Sequence, residues 1–338
     1  MTATTNRQVV LRSRPVGLLD ASDVELVEVP LPELAEGEAL IRTDLVGVDA
    51  AVRTWLEDQP GYLPPVQIGE VVRAATVGEI VESRCDAYEV GDVVTSLGGF
   101  AEYSIARDDL FTTVVRPGPG EGPIDRERLL AVFGSTGATA YFGMHDIGRP
   151  GEGDTVVVSA AAGATGSIAG QIAKHAGARV VGIAGSAEKC AVVTGEFGFD
   201  ACIDHRRDDL AEALREHCPD RVDVYFDNVG GPILDAVLGR LAMNARVVLC
   251  GVISSYLGGD HPGPSNWVQL LARRARMEGF NTMDKWDRYE EAVSELRRLC
   301  DSGAIRYRTH VFDGLGQAVA ALNALFEGTN IGKTLLRP

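Results

Sequence analysis

A chain of 338 residues is long enough for about two domains, and its 45% hydrophobic and 24% charged content is that of a folded, soluble protein. Its formal net charge of −16 disfavours nucleic acid and anionic membrane surfaces as partners. No apolar run reaches the roughly 18 residues that cross a bilayer, and residues 1–15 lack the apolar core of a secretion signal. We therefore expect a cytoplasmic protein that binds neither nucleic acid nor a membrane.

The cysteines and histidines indicate no metal site. None of the six cysteines stands in a C-x-x-C pair, and the six histidines are scattered without the H-x-x-x-H or H-E spacing of metal ligands. In a cytoplasmic protein such cysteines are typical buried or inert thiols.

The first 125 residues or so alternate apolar and polar positions in short runs that break at Gly or Asp. The clearest runs cover residues 38–48, 76–83 and 92–105. This period of two residues predicts strands and turns, and hence a compact β-rich unit.

From about residue 130, apolar strand-like runs alternate with helical stretches. The predicted strands are 155–160, 178–185, 201–205, 222–228, 245–253 and 276–281. The predicted helices between them are 167–177, 187–198, 207–218, 232–242 and 265–275. Six apolar strands alternating with helices predict an α/β fold with a doubly wound parallel sheet. A further helix (314–328) and strand (332–338) are not needed for that sheet and could return to the first domain.

A glycine-rich turn joins the first of these strands to its helix, and reads A-A-G-A-T-G over residues 161–166. Such a turn lets the backbone and the helix N-terminus approach a pyrophosphate. The predicted contacts are Ala162, Gly163, Ala164, Thr165 and Gly166. The alternative is a plain tight turn, which the strand–turn–helix context disfavours.

The second strand ends in Gly185-Ser186, where a protein that binds NAD usually carries an acidic residue for the ribose 2′-OH. A carboxylate there would repel a 2′-phosphate. Its absence, with Ser186 as a donor and Lys189 as a cation, predicts NADP(H) as the cofactor. The alternative for Lys189 is a solvated helix residue.

At these motifs the chain resembles the zinc-independent, NADPH-dependent double-bond reductases of the medium-chain dehydrogenase/reductase family. The matching stretches are GYLPPVQIGEVVRAATVGEIVES, TAYFGMHDIGRP, SAAAGATGSIAGQIAK, VVGIAGSAEKC, VYFDNVGG, CGVISSY, ARMEGF and GTNIGK. The resemblance implies a GroES-like β-rich domain (1–128 and 311–338) that carries substrate and catalytic residues. It also implies a Rossmann NADP-binding domain (129–310) and a homodimer. Zinc-dependent relatives carry G-H-E where this chain has Gly69-Glu70-Val71, so no metal is expected.

The resemblance implies further cofactor contacts along the chain. These are His205, Asn228, Cys250, Gly251, Val252, Ile253, Ser254, Ser255, Tyr256, Phe280, Asn281 and Asn330. Simpler interpretations remain open for three of them: a surface histidine at 205, an Asn turn at 228 and a core aromatic at 280. The chain departs from many relatives at Leu257, at His205, where they have Tyr, and over residues 49–53, which weakens any transfer of substrate.

The implied reaction is hydride transfer from NADPH to the β-carbon of an α,β-unsaturated aldehyde or ketone. Negative charge then develops on the carbonyl oxygen, and a hydrogen-bond donor there lowers the barrier. Tyr256 is the first candidate donor and Tyr62 the second, although either ring could serve packing alone. The alternatives are a quinone reductase or specialised biosynthetic reductase of the same fold, and a noncatalytic NADPH-binding sensor or partner protein.

Overall fold

The computed structural model describes residues 4–59, 61–109, 111–117, 122–258 and 263–338. The strands in these ranges are β1 (Thr5–Leu11), β2 (Val24–Pro30), β3 (Glu38–Val48), β4 (Ala75–Ser83), β5 (Val93–Ser96), β6 (Tyr103–Arg107), β7 (Thr113–Val115), β8 (Thr155–Ser159), β9 (Arg179–Ala184), β10 (Ala201–Asp204), β11 (Val222–Asp227), β12 (Leu241–Leu249), β13 (Arg276–Gly279), β14 (Thr309–Asp313) and β15 (Lys333–Arg337).

The α-helices in the same ranges are α1 (Ala51–Trp55), α2 (Arg126–Arg128), α3 (Ser135–Phe142), α4 (Ala164–His175), α5 (Ala187–Gly195), α6 (Leu210–His217), α7 (Gly231–Leu238), α8 (Val268–Arg273), α9 (Tyr289–Asp301) and α10 (Ala318–Glu327). Wider, π-type turns occupy Leu129–Phe133 and Gly143–Gly148 on either side of α3. No helix in the described part of the chain is both long and apolar enough to cross a membrane.

The chain divides into two compact units. Unit 1 comprises Met1–Leu130 and Thr309–Pro338, and unit 2 comprises Ala131–Arg308. The junctions expected from the sequence, 128/129 and 310/311, fall two residues from these bounds.

Unit 1 is a β-rich unit whose main sheet has the order β14-β15-β3-β4-β5-β7, with β6 also paired to β3. The C-terminal strand β15 runs antiparallel to β3, with Leu335 opposite Gly47. Val46, Leu322 and Leu336 belong to a buried core that the N-terminal and C-terminal segments build together. The end of the chain is therefore part of the first unit, because its apolar face completes this core.

Unit 2 contains a six-stranded parallel sheet in the order β10-β9-β8-β11-β12-β13. All five residues of β8 are buried, as expected for a central strand covered on both faces. The order reverses beside β8, since β9 lies on one side and β11 on the other. This arrangement confirms the α/β fold and places a crevice at the carboxyl ends of β8 and β11, where such sheets bind ligands.

Among the described α-helices of unit 2, α3 and α9 lie outside the predicted helical segments. In α9 the buried residues Ala292, Leu296 and Leu299 form the expected helical stripe, within a segment rich in charge. The predicted helix 232–242 is too long, because Leu241 opens β12 opposite Val222 of β11. Short apolar runs fit the buried face of a helix or a strand equally well, so the pattern did not place this boundary.

Candidate cofactor site and active site

The first turn at the sheet edge joins β8 to α4. Ala160 has a left-handed φ of 49°, and its carbonyl oxygen accepts the N–H of Gly163 at 2.9 Å. A Cβ at Gly166 would lie 2.5 Å from the same oxygen, closer than real Cβ atoms approach. Gly166 therefore lets α4 begin directly against the end of β8.

The start of α4 provides backbone donors at this turn. Gly163 is the N-cap residue and has an extended backbone. Its carbonyl accepts the first hydrogen bond of the helix, from the N–H of Ser167 at 3.0 Å. Ala164, Thr165 and Gly166 form the first helical turn, and helix geometry leaves such N–H groups without partners inside the helix. With buried Ala162 before them, these residues form a compact site for an anion.

The second turn follows β9 and begins α5. The hydroxyl oxygen of Ser186 caps α5 by accepting the N–H of Lys189 at 3.2 Å. Gly185, Ser186 and Lys189 are all half-buried. Burial lowers the pKa of Lys189, and the nearby positive charge of Arg206 lowers it further. The Lys189 ammonium thus lies beside another cation, where an anion would relieve repulsion.

The end of β10 brings His205 and Arg206 to the same turn. A Cβ at Gly185 would lie 3.3 Å from His205 Nε2 and 3.3 Å from Arg206 Nε. His205 is exposed, but the buried part of its side chain lowers its pKa. The positive charge of Arg206 lowers this pKa further. The expected residues His205 and Lys189 therefore lie together, and Arg206 is a third basic residue that the sequence interpretation missed.

A buried carboxylate underlies the crevice between β8 and β11. Asp227 is 0% exposed, and its Oδ1 accepts from the Ser159 hydroxyl at 3.0 Å and from the Tyr225 hydroxyl at 2.7 Å. The same oxygen accepts the N–H groups of Val229 and Gly230, each at 2.9 Å. Among the described residues Asp227 Oδ2 has no hydrogen-bond partner. This network fixes the end of β11, and its signal was the acid inside the D-N-V-G-G motif.

Asn228 is held in place by this network. Its backbone N–H donates to the Ser159 hydroxyl at 2.9 Å, and its Nδ2 donates to the Ser159 carbonyl at 2.7 Å. Its Oδ1 is an acceptor that these two bonds do not use. Asn228 thus ties the end of β11 to the end of β8.

The segment after β12 carries the predicted contacts from residue 250 to 256. Ile253 donates its N–H to the Asn228 carbonyl at 3.2 Å, and Ser254 donates its hydroxyl to the Val229 carbonyl at 2.6 Å. Ile253–Ser255 form a single 3-10 turn. Burial raises the pKa of the Cys250 thiol to about 12, so it stays protonated. The segment is therefore fastened to the turn after β11.

Tyr256 folds back onto its own segment. Its hydroxyl oxygen accepts the N–H of Val252 at 3.2 Å, and a Cβ at Gly251 would lie 3.2 Å from that oxygen. Burial raises the Tyr256 pKa, while the Val252 N–H acts in the opposite direction. Because the oxygen accepts this bond, the hydroxyl proton is available to another acceptor.

Phe280 and Asn281 follow β13. Phe280 is half-buried, and its ring tip lies 2.9 Å from where a Cβ of Gly143 would stand. Asn281 Oδ1 accepts the N–H of Met283 at 2.9 Å and caps the 3-10 segment Thr282–Arg288. Both residues thus have structural contacts of their own within unit 2.

Tyr62 and Asn330 belong to unit 1. The Tyr62 side chain is 54% exposed and meets Trp55 edge-on, with 6.2 Å between ring centroids. Asn330 is buried, and its Nδ2 donates to the Gly332 carbonyl at 3.3 Å. A cavity of about 250 Å³ in this unit is lined partly by Leu63 and Pro64, next to Tyr62. Its described lining also includes Arg73, Ser96, Leu97, Gly98, Ile105, Arg107, Asp109, Phe111 and Thr112, a mixture of charged and apolar surface.

The segment 49–53, where the chain departs from many relatives, is anchored by ion pairs. Lys333 Nζ is bonded to Asp49 Oδ1, and Lys333 is buried. The Arg53 side chain is 1% exposed and donates to the carbonyls of Gly17 and Pro15 and to Glu57. Arg53 therefore holds the N-terminal loop against α1.

In the parts of the chain that the structure describes, no three His, Cys, Asp or Glu side chains lie together as a metal-binding group. All six cysteines are free thiols.

Comparison with known proteins gives matches over almost the whole chain. Residues 7–114 match the family model described as the N-terminal domain of oxidoreductase, and residues 164–298 match the one described as zinc-binding dehydrogenase. The NADPH-dependent curcumin reductase of Escherichia coli K12 is 40% identical, over 98% of this chain and 96% of that protein. The NADP(+)-dependent 2-alkenal reductase of Nicotiana tabacum is 33% identical, over 98% and 97%.

A crystal structure of CurA from Vibrio vulnificus in complex with NADPH is 40% identical, with a TM-score of 0.91 over 98% of each chain. These matches confirm the family, the two-domain fold of GroES-like and Rossmann parts, and the cofactor expected from the sequence. The chain is an NADP-dependent oxidoreductase that belongs to the double-bond reductases of the medium-chain dehydrogenase/reductase family.

Proposed function

We propose that this chain reduces the carbon–carbon double bond of α,β-unsaturated aldehydes and ketones. The observation that carries the proposal is the position of Tyr256, whose hydroxyl lies beside Gly251 on the segment fastened to Asn228. The full-length similarity to a protein named 2-alkenal reductase supports the same reaction class.

The residues of unit 2 fit a bound NADP(H) in order along the sheet edge. The β8–α4 turn suits the pyrophosphate, because Gly166 lets backbone donors come close. Ser186, Lys189 and His205 suit the 2′-phosphate. The nicotinamide half is assigned to Asn228, the segment 250–256, Phe280 and Asn281, while the contact expected of Asn330 stays a prediction. When bound, NADPH supplies the hydride that reaches the β-carbon of the substrate.

Tyr256 is assigned to the substrate carbonyl oxygen. Its hydroxyl accepts the N–H of Val252, so its own proton can be donated to the oxygen on which negative charge develops. The Val252 N–H also opposes the effect of burial on the phenol pKa, which strengthens the hydroxyl as a donor. Tyr62, which is more than half exposed, is assigned as a second, substrate-orienting group.

The reaction is proposed to need no metal. Gly69-Glu70-Val71 lacks the histidine of the zinc-dependent relatives, and the described residues contain no cluster of three metal-binding side chains. A fully active protein after dialysis against a chelator is the expected result, with the zinc content measured in parallel.

A homodimer and a cytoplasmic location are also proposed. Strand β13 ends the described sheet of unit 2, and the adjoining α8 segment exposes Trp267, Val268 and Leu271. An open strand beside exposed apolar side chains is a surface that a second copy could cover. The six free thiols fit a reducing compartment. Sedimentation and cell fractionation test these two statements.

The decisive experiment is an NADPH-oxidation screen with the full chain against alkenals, enones and quinones, with NADH as the cofactor control. Products are analysed by mass spectrometry, and deuterated NADPH shows which carbon receives the hydride. Saturated carbonyl products labelled at the β-carbon are expected. NADPH oxidation with quinones only would overturn the proposal in favour of a quinone reductase. No oxidation with any compound in the screen would overturn it in favour of a noncatalytic protein.

The role of Tyr256 is tested by Tyr256→Phe, with Tyr103→Phe on β6 as the matched control. Loss of one donor to a developing oxyanion is expected to lower kcat about 100- to 1000-fold, while the NADPH Kd changes less than about threefold. Unchanged kcat with enones would remove the role from Tyr256 and leave the cofactor assignment intact.

A further inference from the structure

The turn between β10 and α6 brings Arg206 to the end of β9. The two strands are parallel neighbours, with Asp204 opposite Ala184, and the His205 N–H donates to the Ala184 carbonyl at 3.0 Å. Asp204 also holds the backbone of Arg206, since its Oδ1 accepts the Arg206 N–H at 3.2 Å. The backbone at Arg206 is therefore fixed beside the second turn.

Gly185 provides the space for the guanidinium. A Cβ at this position would stand 3.3 Å from Arg206 Nε and 3.7 Å from Cζ. With hydrogen in place of a side chain, Gly185 lets the guanidinium approach the backbone at the β9–α5 turn. The guanidinium therefore lies at the same turn as Ser186 and Lys189.

Three basic side chains, Lys189, His205 and Arg206, lie close together at this turn. Arg206 lowers the pKa of both Lys189 and His205 through its positive charge, so each senses it across the turn. Glu188 acts in the opposite direction on the pKa of Lys189, and Asp204 on that of His205. In a chain of net charge −16, a local concentration of cations marks an anion site.

We propose that Arg206 is a specificity-determining residue that binds the 2′-phosphate of NADPH together with Lys189. This inference rests on the proposed assignment of that phosphate to the β9–α5 turn. Arg206 presents a rigid fork of N–H donors that matches two phosphate oxygens, whereas Lys189 acts as a point charge. Together they select NADPH over NADH, which lacks this phosphate.

The test compares Arg206→Gln with Arg207→Gln, a change of the same type at the exposed neighbouring position. The Kd values of NADPH, NADH and 2′,5′-ADP are measured on the full chain by titration calorimetry, with thermal melting as a check on folding. Loss of charged hydrogen bonds is expected to weaken NADPH and 2′,5′-ADP about 10- to 100-fold in Arg206→Gln. NADH should change less than about twofold, and Arg207→Gln should bind all three normally.

Arg206→Lys separates charge from geometry, because it keeps the cation and loses the fork. It should recover only part of the affinity for NADPH. Equal weakening of NADPH and NADH in Arg206→Gln, or no change in either, would overturn the proposal.

Lys189→Ala distinguishes this failure from failure of the phosphate site itself. If Lys189→Ala loses NADPH selectively while Arg206→Gln does not, the site stands and Arg206 has no part in it. If neither variant changes the preference between the cofactors, the phosphate does not bind at this turn.

Discussion

The turns after β8 and after β9 are neighbours on one sheet edge, but they are constructed in different ways. At the first, Gly166 must lack a side chain, because a Cβ there would lie 2.5 Å from the Ala160 carbonyl oxygen. At the second, Gly185 makes room for the side chains of His205 and Arg206, which directly follow the neighbouring strand β10. The first turn thus depends on residue size within one segment, while the second depends on charges collected from two strands.

The largest expected effect comes from a change at the first turn, which should weaken the binding of NADPH and NADH equally. Gly166→Ala forces backbone atoms apart, since the new Cβ meets the Ala160 carbonyl oxygen at 2.5 Å. NADPH and NADH should both bind about 10- to 100-fold more weakly, because the displaced turn no longer presents its backbone donors to the pyrophosphate that both cofactors carry. Fluorescence titration measures both. Gly163→Ala, whose Cβ has its nearest contact at 3.1 Å, is the milder control. Selective loss of NADPH alone would contradict the comparison.

Salt should separate the two turns by a smaller factor. The charges around Gly185 are partly exposed, so ions screen them, whereas backbone contacts at the first turn change little. Raising NaCl from about 20 to 500 mM should weaken NADPH relative to NADH about 3- to 10-fold. The ratio of the two Kd values is the readout, because the overall charge of −16 repels both cofactors. A ratio independent of salt would mean that these cations do not bind the phosphate.

The smallest expected effect is a pH dependence from His205. Partial burial and the positive charges of Arg206 and Lys189 lower its pKa, against the opposing effect of Asp204, which favours the neutral imidazole in the free protein. A phosphate dianion raises this pKa, and binding then takes up a proton. The NADPH Kd should therefore fall about 2- to 5-fold from pH 8 to pH 6.5, above the phosphate's own pKa of about 6.

The NADH Kd should stay flat over that range, and His205→Gln should flatten the NADPH curve. A slope that survives in His205→Gln would assign the proton to another group.

The sequence predicted the parts of the site that lie within one segment. The strand, the glycine turn and the helix of the first βαβ unit are consecutive, and the missing acid after β9 was visible at Gly185-Ser186. Arg206 could not be found in this way, because its role depends on β10 lying beside β9. Asp227 was overlooked for a related reason, since its partners Ser159 and Val229 belong to two different strand ends.

The fold itself was predicted well where apolar runs were long and repeated. The boundary between α7 and β12 was missed because Leu241 and Ala242 suit either element. Both π-type turns beside α3 also escaped the pattern, since their spacing differs from the helical period. Gly143 lies where a larger residue would have no space, since a Cβ there would stand 2.6 Å from the Phe226 ring and 2.9 Å from the Phe280 ring.

The cap that Ser186 forms on α5 has a consequence for protein engineering. Aspartate caps a helix as well as serine does, so Ser186→Asp can keep the bond to the Lys189 N–H and the start of α5. The same carboxylate would repel a 2′-phosphate and accept a hydrogen bond from a ribose 2′-OH. One position could thus exchange the coenzyme without dismantling the helix, which makes residue 186 the natural starting point for a variant driven by the cheaper NADH.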